Sequence, residues 1–158
     1  MTRPTRWFDD IRAGDVSEFG DYEMIESEVR AFATAFDPQP FHIDPVAAQE
    51  SIFGGLIASG WHTGSVVMRM MVDHYLTPQS SMGSPGIDEV RWIVPVRPGD
   101  RIRVRITVLS VVASRSKPDR GIVHSLTEVL NQKDQVVMTM KGMGMIRRRL
   151  AGGQGGSL

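Results

Sequence analysis

Asp37 and His42 stand five residues apart in the run Phe36-Asp37-Pro38-Gln39-Pro40-Phe41-His42-Ile43-Asp44, with two prolines between them. Each proline fixes its own φ and restricts the residue before it, so this bend can hold a carboxylate and an imidazole in set relation at little entropic cost. Their ordinary pKa values, roughly 4 and 6.5, make them a proton-handling pair. Either can take a proton from water while the other orients it. Asp44 either caps the turn that Pro45 begins or orients His42.

A second feature lies eighteen residues beyond His42, where Ser59-Gly60 opens a long apolar-rich stretch. An N–H in the first turn of a helix has no intrahelical acceptor, and the helix dipole adds partial positive charge there. The Gly60 amide is therefore a candidate to polarise a carbonyl and stabilise the enolate oxygen made from it. Glycine at that place leaves room for a thioester. A proton-handling pair with an oxyanion donor is what hydration of an activated double bond requires.

Several elements must position these groups. Residues 1–14 read as an extended arm and Val16 to Tyr22 as a short edge strand. Ser27 is a candidate N-cap for a helix over 28–35 that the prolines after Asp37 end. Pro45 to Gln49 forms a helical turn. The strongest helix runs from Ser59, its cap, to Leu76; its middle, Val66 to Val72, is apolar on nearly every face, which places it inside something. Beyond the loop at 79–86 the period changes from 3.6 to 2. Val90 to Val96, Ile102 to Val108, Ile122 to Leu130 and Gln135 to Arg147 read as four strands joined by turns, hence an antiparallel meander. Residues 150–158 are a Gly-rich tail. The expectation is one α+β domain over 15–149, an antiparallel sheet wrapped around a central helix that it covers incompletely, with a second copy completing the cover.

Composition excludes several classes. The 158 residues are 41% hydrophobic and 23% charged, enough for a core that hides roughly 70% of the unfolded chain's surface. With no cysteine there is no disulfide, thiolate metal site or cysteine nucleophile. No run approaches eighteen apolar residues and no signal-peptide core follows Met1, so the expectation is a soluble, cytoplasmic protein with no membrane span. Net charge is zero, yet residues 1–50 carry eleven acidic and four basic side chains while the remainder carry seven and fourteen. The basic half lacks the aromatic-interleaved stripe of a nucleic-acid binder. Its arginines read as solvated strand faces.

The run Asp37-x-Gln39-Pro40-x-His42-x-Asp44, the step to Gly60, the apolar helix and the turn Val96-x-Pro98-Gly99-Asp100 resemble the MaoC-like dehydratases, which include the (R)-specific enoyl-CoA hydratases on the hot-dog fold. The resemblance spans roughly residues 15–147. It implies that Asp37 and His42 hold and activate a water, that the Gly60 N–H is the oxyanion donor, and that Ser59 and Gln39 line the substrate site. Water would add syn across a trans-2-enoyl thioester of coenzyme A or a carrier protein, or leave the 3-hydroxyacyl product. No metal and no separate cofactor is implied, coenzyme A being part of the substrate. The family usually has Asn where this chain has Gln39 and often His where it has Ser59; some members use a serine where it has Met68.

Other candidates carry less. His62, His74 and His124 read as packed or exposed histidines, Trp61 and Trp92 as core or interface, and the methionines around 68–71 and 138–145 as core filling or an acyl tunnel. Arg115, Lys117 and Arg120 flank a turn and could meet phosphates; Arg147 to Arg149 read as a solvated strand end. Two other functions stay open. A hot-dog thioesterase would want a carboxylate on or near the long helix, where only Asp73 stands, near its far end. A non-catalytic acyl-thioester-binding subunit would not need both Asp37 and His42.

Overall fold

The computed structural model describes residues 3–150; the expected tail therefore lies almost wholly outside the described residues. A 3-10 turn at Phe8–Asp10 precedes β1 (Val16–Glu23), α1 (Glu26–Phe36), α2 (Pro40–Ile43), α3 (Pro45–Glu50), α4 (Gly60–His74), β2 (Gly86–Trp92), β3 (Arg101–Ala113), β4 (Arg120–Leu130) and β5 (Val136–Arg147). The strands form one antiparallel sheet in the order β1-β3-β4-β5-β2. The α+β class expected from the change of period is what forms.

The alternation in β3 sets the layers. Ile102, Val104, Ile106 and Val108 are buried, while Arg101, Arg103 and Arg105 face outward. Ile102, Val104 and Ile106 pack with Val129 and Met138 of the neighbouring strands and with Val66, Val67 and Met70 of α4. So α4 lies on the concave face of the sheet. It is buried through one stripe (His62, Thr63, Val66, Val67 and Met70), whereas Trp61, Met68 and Val72 are 63%, 50% and 53% exposed. The expectation of a helix enclosed on nearly every face holds for one face of the single chain.

The four-strand meander is corrected to three. β3, β4 and β5 follow one another, but β2 pairs with β5 across the sheet, not with β3. Pairing ends at Trp92, and Val94 to Asp100 is a crossover. Its hydrogen bonds go to separate elements: Val94 N–H to Val137 O, Ala58 N–H to Val96 O, and Gly99 N–H to Met24 O. Periodicity of two continued through Val96 because the crossover also buries alternate valines, Val96 among them.

Three smaller expectations change. The first helix begins at Glu26, with Ile25 at its cap position, so Ser27 is inside it. The N-terminal arm is anchored: Phe8 and Ile11 pack with Val108, Val123 and Ile146 in a second apolar cluster. The residues just after β5 are paired, Arg148 with Asp9 at 2.8 Å and Arg149 with Asp10 at 2.6 Å. Acidic β1 beside basic β3 (Glu18 with Arg105, Asp21 and Glu23 with Arg101) accounts for much of the charge split along the chain. No helix among the described residues is long and apolar enough to cross a membrane.

Candidate active site

Asp37 closes α1 as its C-cap residue, its N–H bonding Ala33 O at 2.8 Å. Pro40 then occupies the first turn of α2, where its missing N–H costs nothing, and this single turn carries His42. Sequence reading missed α2, although proline at the first helical position was a usable signal. Asp44 caps α3, its Oδ1 accepting from the N–H groups of Val46 at 2.9 Å and Ala47 at 3.3 Å. Capping is thus its role, and it does not orient His42.

The loop before α4 threads alongside. His42 Nδ1 lies 2.7 Å from Ile57 O, and Ser59 Oγ–H donates to Asp37 Oδ2 at 2.7 Å. Gln39 Nε2–H donates to the other carboxylate oxygen, Oδ1, at 2.7 Å. His42 Nε2 stands 3.2 Å from Asp37 Oδ2. His42 is 5% exposed and Ser59 wholly buried. The proline-stiffened bend brings the pair together as the spacing suggested.

Proton roles follow from these contacts. A carbonyl only accepts, so the Ile57 contact keeps the proton on Nδ1 and leaves Nε2 as the basic nitrogen of the neutral ring. Hydrogen bonding to its ionised form holds the Asp37 carboxyl below the usual aspartate range: the Gln39 amide acts most strongly, then the Ser59 hydroxyl, against the opposing effect of burial, and the His42 ring adds to this only when it carries a proton. A neutral Nε2 and a carboxylate oxygen both present lone pairs. A water donating one hydrogen to each would satisfy both.

Gly60 is the first residue of α4, and among the described residues its N–H meets no acceptor, since the bonds to Ser59 O come from His62 and Thr63. Its neighbour Ser59 touches Asp37, so the free amide and the pair share one corner of the fold. Ser59 sits at the N-cap position but does not cap with its side chain, forgoing a contact worth about 1 kcal/mol. Glycine at 60 has a local reason: a Cβ there would run into the indole of Trp92. Trp92 stacks edge-on with Trp61 at 5.1 Å between ring centres, a covering that sequence reading did not anticipate. On the other side of the pair, Phe41 meets His42 edge-on at 4.6 Å and Phe53 at 5.1 Å.

The remaining candidates lie elsewhere. His62 is buried against Phe32, ring centres 4.9 Å apart, and its Nδ1 has no hydrogen-bond partner. Asp73 is ion-paired with Arg69 at 2.8 Å. Arg120 pairs with Asp119 at 2.8 Å beside the end of β5 opposite Met138, roughly 30 Å along that strand. A cavity of about 340 Å³ opens between the second half of α4 and the sheet, lined in part by Met68, Met71, Tyr75, Met140, Gly144 and Arg6. Met68 lies about 12 Å beyond Gly60 along α4. Among the described residues no three or more His, Asp or Glu gather as metal ligands.

An antiparallel five-stranded sheet cradling one helix, with an Asp–His pair against that helix's first turn, defines a hot-dog domain. The family described as MaoC like domain matches residues 11–129, and the chain belongs to it. The crystal structure of the MaoC-like dehydratase from Rhodospirillum rubrum is 39% identical and superposes with a TM-score of 0.86, covering 92% of this chain and 99% of that one. Two further structures share the fold at lower identity. The unliganded (R)-hydratase of Pseudomonas aeruginosa is 23% identical with a TM-score of 0.72, covering 90% of this chain and 86% of that one. A Mycobacterium tuberculosis protein with a double hotdog fold is 16% identical with a TM-score of 0.81, covering 96% of this chain and 47% of that one.

Proposed function

We propose that the protein adds water to a trans-2-enoyl thioester, or removes it from a 3-hydroxyacyl thioester, with coenzyme A or a carrier protein as the thiol. The observation that carries this reading is the 3.2 Å approach of His42 Nε2 to Asp37 Oδ2 beside the free Gly60 amide. In the hydration direction the water oxygen bonds to Cβ while His42 Nε2 takes one of its protons. The π electrons move onto the thioester oxygen, where the Gly60 N–H stabilises them. The enolate then collapses and the proton held by the pair passes to Cα, so one water has been added across one double bond. Asp37, with both oxygens already accepting hydrogen bonds, orients the water. This chain's own residues suffice for each step, and coenzyme A enters as part of the substrate. The (R)-hydratase neighbour and the MaoC-like dehydratase support the reaction class. The methionine-lined cavity beyond Met68 suits an acyl chain that follows α4 for about two turns.

A second copy of the chain is the expected partner. β2 is an unpaired sheet edge, and Ile87, Trp92 and Ile93 on or just beyond it are about half exposed, as are Met68 and Val72 of α4. A two-fold dimer through this edge would cover them.

The test is direct. Crotonyl-CoA and longer enoyl-CoAs are incubated with the protein while enoyl absorbance and free thiol are followed together. Loss of absorbance without thiol release is expected. Thiol release would establish a thioesterase instead, a reading that the ion-paired Asp73 does not support, and neither signal across the panel would leave a binding subunit.

A further inference from the structure

We propose that Ser59 is a positioning residue, whose buried hydroxyl aims Asp37 Oδ2 at the water shared with His42 and leaves the imidazole as the group that takes the proton. This rests on the hydratase reading above and gives Ser59 a role other than contact with the thioester.

The geometry is specific. Ser59 is fully buried, and its hydroxyl turns from the helix end it could cap to donate to Asp37 Oδ2 at 2.7 Å. That oxygen is the one facing His42 Nε2 at 3.2 Å. Gln39 holds the other oxygen at 2.7 Å, so the two donors fix the carboxylate plane from opposite ends. A hydroxyl donor spreads negative charge away from Oδ2 and makes it a poorer base, while leaving room for a second hydrogen bond from water. Among the described residues, His42 of α2 is the titratable side chain within ion-pair reach of Asp37; Gln39 and Ser59 are neutral, and His62 of α4 is stacked on Phe32. Backbone connectivity adds a second consequence. Ser59 is bonded to Gly60, so the same contact ties the oxyanion amide to the carboxylate and keeps the two in register.

The experiment uses the full chain with Ser59→Ala, Ser59→Thr and Ser59→Cys. The readouts are kcat, KM and the carbon NMR titration of the Asp37 carboxyl in free protein, assigned with Asp37→Asn. In Ser59→Ala the Asp37 titration is expected to move to higher pH by about half a unit to one unit. A fall in kcat of about tenfold is expected with KM within about twofold, the signature of lost orientation rather than lost binding. Ser59→Thr, which keeps the hydroxyl, should restore both. Should Ser59→Ala fail to fold, Ser59→Cys, with a weaker donor, should show a smaller shift in the same direction.

An unchanged Asp37 titration in folded variants would overturn the proposal, as would a large rise in KM with that titration unmoved, which would make Ser59 a substrate contact. If the wild-type protein hydrates no enoyl thioester, the hydratase reading fails separately. The Asp37 titration still decides whether Ser59 controls the carboxylate.

Discussion

Asp37 and His42 meet through one oxygen and one nitrogen, Oδ2 and Nε2 at 3.2 Å, and the Ser59 hydroxyl holds that same oxygen more closely, at 2.7 Å. The Gln39 amide and the Ser59 hydroxyl hold the carboxylate, and the Ile57 carbonyl holds the imidazole. A pair anchored from behind keeps its facing atoms available for a third molecule. Asp37→Asn and His42→Ala should therefore each lower turnover of the folded protein on a confirmed enoyl thioester by about 10²- to 10⁴-fold. Steady-state rates beside unfolding curves check this; near-full turnover in both variants would remove the pair from the mechanism.

Gly60 and Trp92 form a second coupled pair. A methyl group at 60 has nowhere to go while the indole lies there, so Gly60→Ala should destabilise by about 1–3 kcal/mol. Trp92→Ala should relieve most of that penalty, and a double-mutant cycle in urea should show strong non-additivity. Additive effects would mean that the indole can swing clear.

His62 predicts a pH dependence of stability. Burial pushes its pKa below the ordinary 6.5, and Glu28 offsets this only in part. The unfolded chain then binds a proton before the folded one does as pH falls, so stability is complete above about 6.5 and declines below it. His62→Leu should flatten that decline and, by removing the unpartnered Nδ1, be neutral or stabilising at pH 7. Urea midpoints from pH 5 to 8 measure both effects, and an unchanged slope in the variant would assign the decline to another group.

The cavity predicts chain-length selectivity. A Cβ at Gly144, which lines the cavity, meets only Ile146 Cδ1, at 4.0 Å, so there is room to begin a side chain there, and valine in Gly144→Val suits a strand. Turnover of long enoyl-CoAs should fall at least about tenfold while crotonyl-CoA is spared, since a pocket discriminates strongly against chains it can no longer bury. Equal loss across the series would place the acyl chain elsewhere.

The β2 edge predicts oligomeric state. The wild-type chain should sediment as a dimer, and Ile87→Lys with Ile93→Lys should yield monomer, because charge on an exposed apolar edge opposes pairing. Unchanged sedimentation in that variant would move the interface away from β2.

The strand alternation of Ile102 to Val108, the proline bend and the apolar stretch opened by Gly60 were legible because each is a local pattern. Periodicity reports which side of a strand is buried, and proline acts on its own backbone. The α2 turn was equally local and was missed, though Pro40 signalled it. By contrast, β2's choice of β5 over β3 depends on where the crossover at 94–100 finds hydrogen bonds, in Met24, Ala58 and Val137. No local window contains those partners.

Residue types and spacing by themselves determined that an Asp and a His stand on one stiff bend, and that a glycine amide opens the principal helix. Tertiary packing alone decided that Ser59 turns to Asp37 instead of capping its helix, that Ile57 sets the His42 tautomer, and that Trp92 covers Gly60. The reason is range: backbone preferences act over a few residues, whereas a hydrogen bond between residues 37 and 59 exists only once the bend and the helix have docked.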